Sequence, residues 1–133
     1  MLKYEKKFNK NYIITPNIKH INQSIRSLDK KVKKAIDLAY ERIYKFHSLQ
    51  KFRNMSYMDK LQNKLEYKYV PIESVAIYVP GSTASYPSSV LMNAIPALLA
   101  GVKRIVMINP GQSGIQNAAV LYAARKCKIK EIY

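Results

Sequence analysis

Val75-Ala76-Ile77-Tyr78-Val79 is a run of β-favouring side chains, stopped by Pro80-Gly81 and followed by the small polar segment Ser82-Thr83-Ala84-Ser85. A short apolar run bounded by turn formers reads as a strand that delivers the chain into a loop. Pro87-Ser88-Ser89 then opens a helix that runs through Leu99. Proline suits a first helical turn, where its missing N–H would have had no partner. Gly101 closes that helix, because glycine adopts the left-handed conformation of a helix end without a Cβ penalty. Arg104-Ile105-Val106-Met107-Ile108 is a second strand of the type buried on both faces of a parallel sheet. Beyond it, Pro110-Gly111 through Gly114 reads as a turn, Ala118 to Lys126 as another helix, and Glu131-Ile132-Tyr133 as the opening of a third strand. A central strand needs its full length to satisfy its neighbour's backbone groups, so that third strand is expected to continue beyond Tyr133.

Upstream the apolar period changes from two to between three and four. Thr15-Pro16 offers an N-cap with proline at the first helical position, and Ile18, Ile21, Ile25 and Leu28 then recur at helical spacing. Asp29 is placed to cap a longer helix ending near Gln50, whose Val32, Ile36, Ala39, Ile43 and Phe46 form one stripe. Neither helix is stable alone, so both stripes are expected to pack on the second half of the chain. The expected fold class is α/β: a helical segment over residues 1–66, then an incomplete Rossmann-like βαβ unit with parallel strands over residues 67–133.

Composition narrows the function classes. With 133 residues and 48% apolar content the chain can bury a core, so general disorder is excluded. The longest apolar stretch, Val90 to Val102, is broken by Asn93, Pro96 and Gly101, and it is too short for a membrane span. The basic start Met1-Leu2-Lys3-Tyr4 leads into no apolar signal region, so a cytoplasmic location is expected. Cys127 is the single cysteine, which rules out an intrachain disulfide and a cysteine metal cluster; it reads as an inert thiol, although Lys126 and Lys128 beside it would tend to lower its pKa. The net charge of +15 raises the question of nucleic acid. Only five of the 23 basic residues are arginine, however, and Lys, Asn, Ile and Tyr are abundant together, as AT-rich codons produce. A solvated lysine-rich surface is the preferred account, and a stand-alone basic module that binds nucleic acid or another subunit is the alternative.

The specific signal lies in the loop and the helix after the first strand. Ile77-Tyr78-Val79-Pro80-Gly81, then Pro87-Ser88-Ser89-Val90-Leu91-Met92-Asn93-Ala94-Ile95-Pro96-Ala97 and Ala100-Gly101-Val102, resembles histidinol dehydrogenase. The similarity extends through Ala119-Val120-Leu121-Tyr122-Ala123-Ala124 and Lys130-Glu131-Ile132-Tyr133, and upstream through Phe46-His47 and Gln50. Leu2-Lys3-Tyr4 and Phe8 look like the end of an early helix of that family, so further sequence is expected on both sides.

The resemblance implies an oxidoreductase of histidine biosynthesis that takes L-histidinol through an aldehyde to L-histidine, using two NAD molecules in succession. It also implies a homodimer, and a zinc site with a glutamate–histidine proton pair. The positions that hold zinc or move protons in the family have no match here, so no catalytic or metal residue is assigned and the chain alone is expected to be inactive. The family's NAD-contacting tyrosine matches Tyr78, where an aromatic face and a hydroxyl stand at the carboxyl end of a strand, the usual place for a ligand in an open α/β sheet. Where the family has two glycines after the proline, this chain has Gly81-Ser82; if that backbone requires a positive φ, Ser82 costs roughly 1 kcal/mol. The GxGxxG fingerprint is absent, and Gly111-Gln112-Ser113-Gly114 reads as a turn. His20 and His47 each stand alone on a helix without a ligand partner at i+3 or i+4, and both read as structural. Asn93 and Pro96 read as packing positions, with Pro96 expected to bend its helix.

Overall fold

A computed structural model describes residues 16–50, 52–81, 84–111 and 115–133. The elements follow as α1 (Ile18–Ser27), α2 (Lys30–Ser48), β1 (Met55–Met58), β2 (Lys64–Tyr67), β3 (Ser74–Tyr78), α3 (Pro87–Ala100), β4 (Arg104–Ile108), α4 (Ala118–Lys126) and β5 (Glu131–Ile132). The last three strands form a parallel sheet in the order β3-β4-β5, with Tyr78 opposite Ile108 and Met107 opposite Ile132. Each strand returns through a helix, which is the connection parallel pairing demands. The fold is α/β and Rossmann-like, as the strand–helix–strand pattern predicts.

The core lies on one face of that sheet. Ile77 and Val79 from β3 and its exit, Ile105 and Met107 from β4, and Ile132 from β5 are buried there against Val90, Leu91, Ala94 and Ile95 of α3 and Val120, Leu121 and Ala124 of α4. The helices α1 and α2 form a further layer outside: α2 packs on α3 and α4, and α1 packs on α4. Ile25 and Ile36 are the buried members of their stripes, with Ile21, Leu28, Ala39 and Ile43 packed beside them. Val32 and Phe46, expected to extend the α2 stripe, are exposed; they stand in the first and last turns of the helix.

The ends of the helices follow their sequence signals with one correction. The N-cap of α1 is Asn17, whose side chain accepts from the Lys19 amide at 2.9 Å. Thr15 lies outside the described residues, and Pro16 precedes the helix, so the expected proline start is displaced by a stronger cap two residues on. Asp29 caps α2 as read, accepting from the Lys31 and Val32 amides. Gly101 ends α3 at φ 90, the left-handed conformation that favours glycine. The helix continues through Pro96, whose missing N–H withholds the bond that the Met92 carbonyl would otherwise accept.

The second correction concerns residues 52–66, which the sequence reading includes in a helical segment over residues 1–66. They carry an antiparallel hairpin, with Met55 opposite Tyr67 and Tyr57 opposite Leu65. Its connection is organised by Asp59, whose carboxylate accepts from the Leu61 and Asn63 amides, each at 2.8 Å. Gln62 takes a positive φ of 69 in place of the glycine that such turns usually carry.

Polar ties join the layers. The Tyr122 hydroxyl donates to Asp37, 3.0 Å from Oδ1, and Lys126 Nζ stands 2.9 Å from the same oxygen, linking α4 to α2. Chiefly the hydrogen bond from Lys126 holds the Asp37 carboxyl below the usual carboxylate range. Arg104 grips Glu131 through two guanidinium nitrogens, Nε at 2.8 Å, across β4 and β5. Among the described residues no helix is long and apolar enough to cross a membrane.

Candidate functional site

Ligands of open α/β sheets bind beyond the carboxyl ends of the strands, and here those ends are tied into one rim. The Val79 amide donates to the Ile108 carbonyl at 2.9 Å, and the Asn109 amide to the Tyr133 carbonyl at 2.7 Å, so the ladder continues past the formal strands. Asn109, 2% exposed, donates from Nδ2 to the Val79 carbonyl at 2.8 Å and bridges the exits of β3 and β4. Gly81 lies against the Pro110 carbonyl so closely that a Cβ would stand 1.8 Å from that oxygen. The glycine after β3 is therefore demanded by the meeting of the two exit loops. Gly111 is pressed in the same way on the backbone of Ile115.

Between these loops and the N-terminus of α4 lies a cavity of about 510 Å³, lined by Pro80, Gly81, Asn109, Pro110, Gly111 and Gln116 among others. Its size suits a small ligand or part of one. Gln116 is buried with its Oε1 lacking a hydrogen-bond partner, an unusual state for an interior amide. Asn117 caps α4 by accepting from the Ala119 amide at 2.8 Å.

Tyr78 ends β3 on the opposite side of the sheet from that cavity, with 62% of its surface exposed. The register sets it in a row with Ile108 and Tyr133 across the carboxyl ends of all three strands. A phenol in that position offers a flat face and a hydroxyl to whatever binds above the sheet.

The remaining singled-out residues sit elsewhere. His20 lies on α1 with Nε2 buried and unpartnered, and His47 lies on α2 with Nδ1 2.6 Å from Gln50 Oε1. The latter pair borders a second cavity of about 590 Å³ at the far end of α3, shared with Phe52, Tyr69, Pro71 and Pro96. Cys127 is buried at the C-terminal end of α4, and burial pushes its thiol up to about 12, overriding the lowering influence of Lys126. The expected lysine effect is thus reversed, and the thiol is inert as read. Asn93 bonds back to the Ser89 carbonyl at 2.7 Å within α3. Ser82 and residues 112–114 of the predicted turn lie outside the described residues. Among the described residues no group of three His, Cys, Asp or Glu side chains converges as a metal site would require.

Sequence reasoning singled out Tyr78 and missed Asn109 and Gln116. The available signal for Asn109 was a polar residue directly after an apolar strand and before proline. Gln116 carried no signal short of the fold, since only long-range packing buries it.

Comparison with known proteins places this rim in a family. The family model described as histidinol dehydrogenase matches residues 1–133. The chain is 82% identical over its whole length to a histidinol dehydrogenase of Pelagibacter ubique, of which it covers 31%. It is 41% identical over 131 residues to that of Helicobacter hepaticus, covering 98% of this chain and 30% of the relative. The crystal structure of histidinol dehydrogenase from Elizabethkingia anophelis superimposes with a TM-score of 0.91 at 37% identity, covering 98% of this chain and 31% of that one. The chain thus spans about a third of the length of the relatives it matches. A match along its whole length in sequence, carried by the same backbone in space, makes it a member of the histidinol dehydrogenase family.

Proposed function

We propose that this chain supplies an N-terminal segment, residues 1–66, and part of the cofactor-binding domain, residues 67–133, of an NAD-dependent L-histidinol dehydrogenase. The reaction is the four-electron oxidation of L-histidinol to L-histidine, the last step of histidine biosynthesis, carried out by a homodimeric enzyme in the cytoplasm. The observation that carries the reading is the whole-length identity to histidinol dehydrogenases together with an exposed tyrosine at the carboxyl end of β3.

The residues present fit one side of a dinucleotide site. Tyr78 offers an uncovered aromatic face, and Gly81 lets the two exit loops close up where a side chain would hold them apart. NAD held there would supply the hydride acceptor; Tyr78 would contribute stacking area and a hydroxyl donor, and would move no proton. Zinc does not fit the described residues, because no ligand set converges among them. No step on this chain runs through the metal, and the chain by itself is expected to turn over no histidinol.

The test joins this chain to the part of the Pelagibacter ubique enzyme that it does not match. Histidinol-dependent NADH formation by that polypeptide, and none by the chain alone under the same conditions with zinc, is the expected result. An inactive, well-folded fusion would sink the reading. Within the fusion, Tyr78→Ala is expected to raise KM for NAD roughly tenfold, a change equivalent to ~1.4 kcal/mol, with a smaller effect on kcat. An unchanged KM would remove Tyr78 from the cofactor site.

A further inference from the structure

Just past the end of β3 the parallel ladder meets a proline. The register that sets Tyr78 opposite Ile108 sets Val79, one residue on, opposite Asn109. In a parallel ladder such a residue donates its N–H to the residue before its partner and accepts from the residue after it. The first bond is present, from the Val79 amide to the Ile108 carbonyl at 2.9 Å. The second would come from residue 110, which is proline and has no N–H to give. Val79 is wholly buried, so its carbonyl cannot turn to water instead.

Asn109 supplies the missing donor from its side chain, with Nδ2 standing 2.8 Å from the Val79 carbonyl. Only the nitrogen of the amide can meet a carbonyl, so the orientation of the group is fixed by its partner. The Asn109 backbone amide meanwhile donates to the Tyr133 carbonyl at 2.7 Å. One residue at the exit of β4 thus holds the exits of both neighbouring strands. The peptides on either side of Val79 are pinned from β4, one through its N–H and the other through its carbonyl. Tyr78 immediately precedes them and lies at the surface. An exposed phenol is held in place only as well as the strand end that carries it.

We propose that Asn109 is a positioning residue for cofactor binding: standing in for the N–H that Pro110 lacks, it fixes the end of β3 and so the place from which Tyr78 meets NAD. The proposal rests on the reading of Tyr78 in the preceding subsection. It asks of Asn109 no contact with the cofactor and no proton transfer. A sheet whose strand ends were free to splay would present the same ring in many places, and binding would bear the cost of collecting them into one.

The experiment uses the polypeptide that joins this chain to the rest of the Pelagibacter ubique enzyme. NAD binding is read by titration calorimetry and stability by thermal unfolding, so neither readout needs turnover. Asn109→Leu keeps the outline of the side chain and loses its donor. It is expected to lower Tm by about 2 °C or more, because the Val79 carbonyl is left buried without a partner. It is also expected to weaken NAD about fivefold, less than Tyr78→Ala does, because the ring is displaced and not removed. KM for NAD should rise by the same factor while kcat changes by less than about twofold. Pro110→Ala restores a backbone N–H where the ladder calls for one. Added to Asn109→Leu, it is expected to recover at least half of the lost Tm and to bring NAD affinity within about twofold of the parent. In a Tyr78→Ala background, Asn109→Leu is expected to weaken NAD no further, since the ring that it positions is gone. Should Asn109→Leu not fold, Asn109→Ser, too short to reach the Val79 carbonyl but small enough to admit water to it, is read by the same criteria. A lowered Tm with unchanged NAD affinity, an equal loss of affinity with and without the Tyr78 ring, or no recovery on Pro110→Ala overturns the proposal. NAD binding that responds to Tyr78→Ala but not to the Asn109 variants sinks this inference alone, whereas binding indifferent to Tyr78→Ala sinks the cofactor reading of that tyrosine and this inference with it.

Discussion

The β1–β2 hairpin and the β3–β5 sheet are both made of short strands rich in apolar side chains, yet they end in opposite environments. In the sheet, alternate residues descend into a core two helical layers deep, and Val79 and Met107 are wholly buried. The hairpin alternates equally well. Met55, Tyr57, Leu65 and Tyr67 share one of its faces by register, while Ser56, Glu66, Met58 and Lys64 share the other, yet Tyr57 remains 57% exposed and Leu65 62%. Apolar alternation thus specifies which face is to be covered; an opposing surface in the same chain decides whether it is. An isolated two-stranded ribbon is marginal in water, so the hairpin's local hydrogen bonds around Asp59 and the stacked Phe52–Tyr69 rings carry most of its order.

The sharpest way to break this contrast is to truncate one leucine in each region. Leu91 on α3 is buried, and Leu91→Ala is expected to destabilise the chain by about 2–5 kcal/mol through lost transfer energy and a residual cavity. Leu65→Ala in the hairpin is expected to change stability by less than about 1 kcal/mol, as exposed substitutions do. Thermal or urea unfolding followed by far-UV circular dichroism reads both. Comparable losses at the two sites would mean that the hairpin is covered in solution and that the contrast is false.

The same contrast explains what could be read from the sequence. The Val75–Val79 and Arg104–Ile108 runs, the proline that opens α3 and the glycine that ends it are local signals that agree with the tertiary result, and the elements appear within a residue of where they were placed. The hairpin was hidden for a local reason. Its turn uses Gln62 at positive φ, with Asp59 as organiser, in place of an asparagine–glycine or aspartate–glycine pair, so the usual mark is missing. The α1 start was displaced because Thr15-Pro16 and Asn17 are competing start signals and nothing local ranks them. At the rim, Tyr78 was legible because a strand end is a local fact. The closeness of Gly81 to Pro110, and the burial of Asn109 and Gln116, depend on two loops meeting that are nearly thirty residues apart, a property of the folded sheet alone.

A second test probes that meeting of loops. Gly81→Ala puts a Cβ where the Pro110 carbonyl now stands, and backbone on both sides must move to admit it. Overpacking of this kind is expected to cost about 1–3 kcal/mol. Gly101 offers the internal control: its Cβ would meet only ordinary contacts with Pro71, so Gly101→Ala costs only what its φ of 90 imposes, about 1 kcal/mol. Chemical denaturation of the two variants side by side checks the order. A Gly81→Ala chain as stable as the parent would show that the exit loops are looser than the rim geometry requires.

The smallest expected effect separates the polar ties of the two regions. Asp37 joins α2 to Tyr122 and Lys126 of α4, and its carboxyl is held below its ordinary value. A group whose folded pKa is depressed contributes stability that is complete above the unfolded value near 4 and is lost as pH falls through the folded value. Lys126 is raised, chiefly by its hydrogen bond to Asp37, so its share is complete below its ordinary value and is lost only as pH climbs through the raised one. Both side chains are about a third exposed, which limits the tie to under about 1 kcal/mol after solvent screening. Asp37→Asn is therefore expected to lower Tm by a few degrees at pH 7 and to narrow the gap from the parent between pH 5 and pH 3, where the parent gives up what the variant never had. The hairpin's Lys64–Glu66 pair, 2.9 Å apart but exposed, should give no measurable change on Glu66→Gln at either pH. Parallel Tm–pH curves for Asp37→Asn and its parent would show that the carboxylate adds nothing to the packing between the helical layers, and that the apolar stripe alone holds α2 in place.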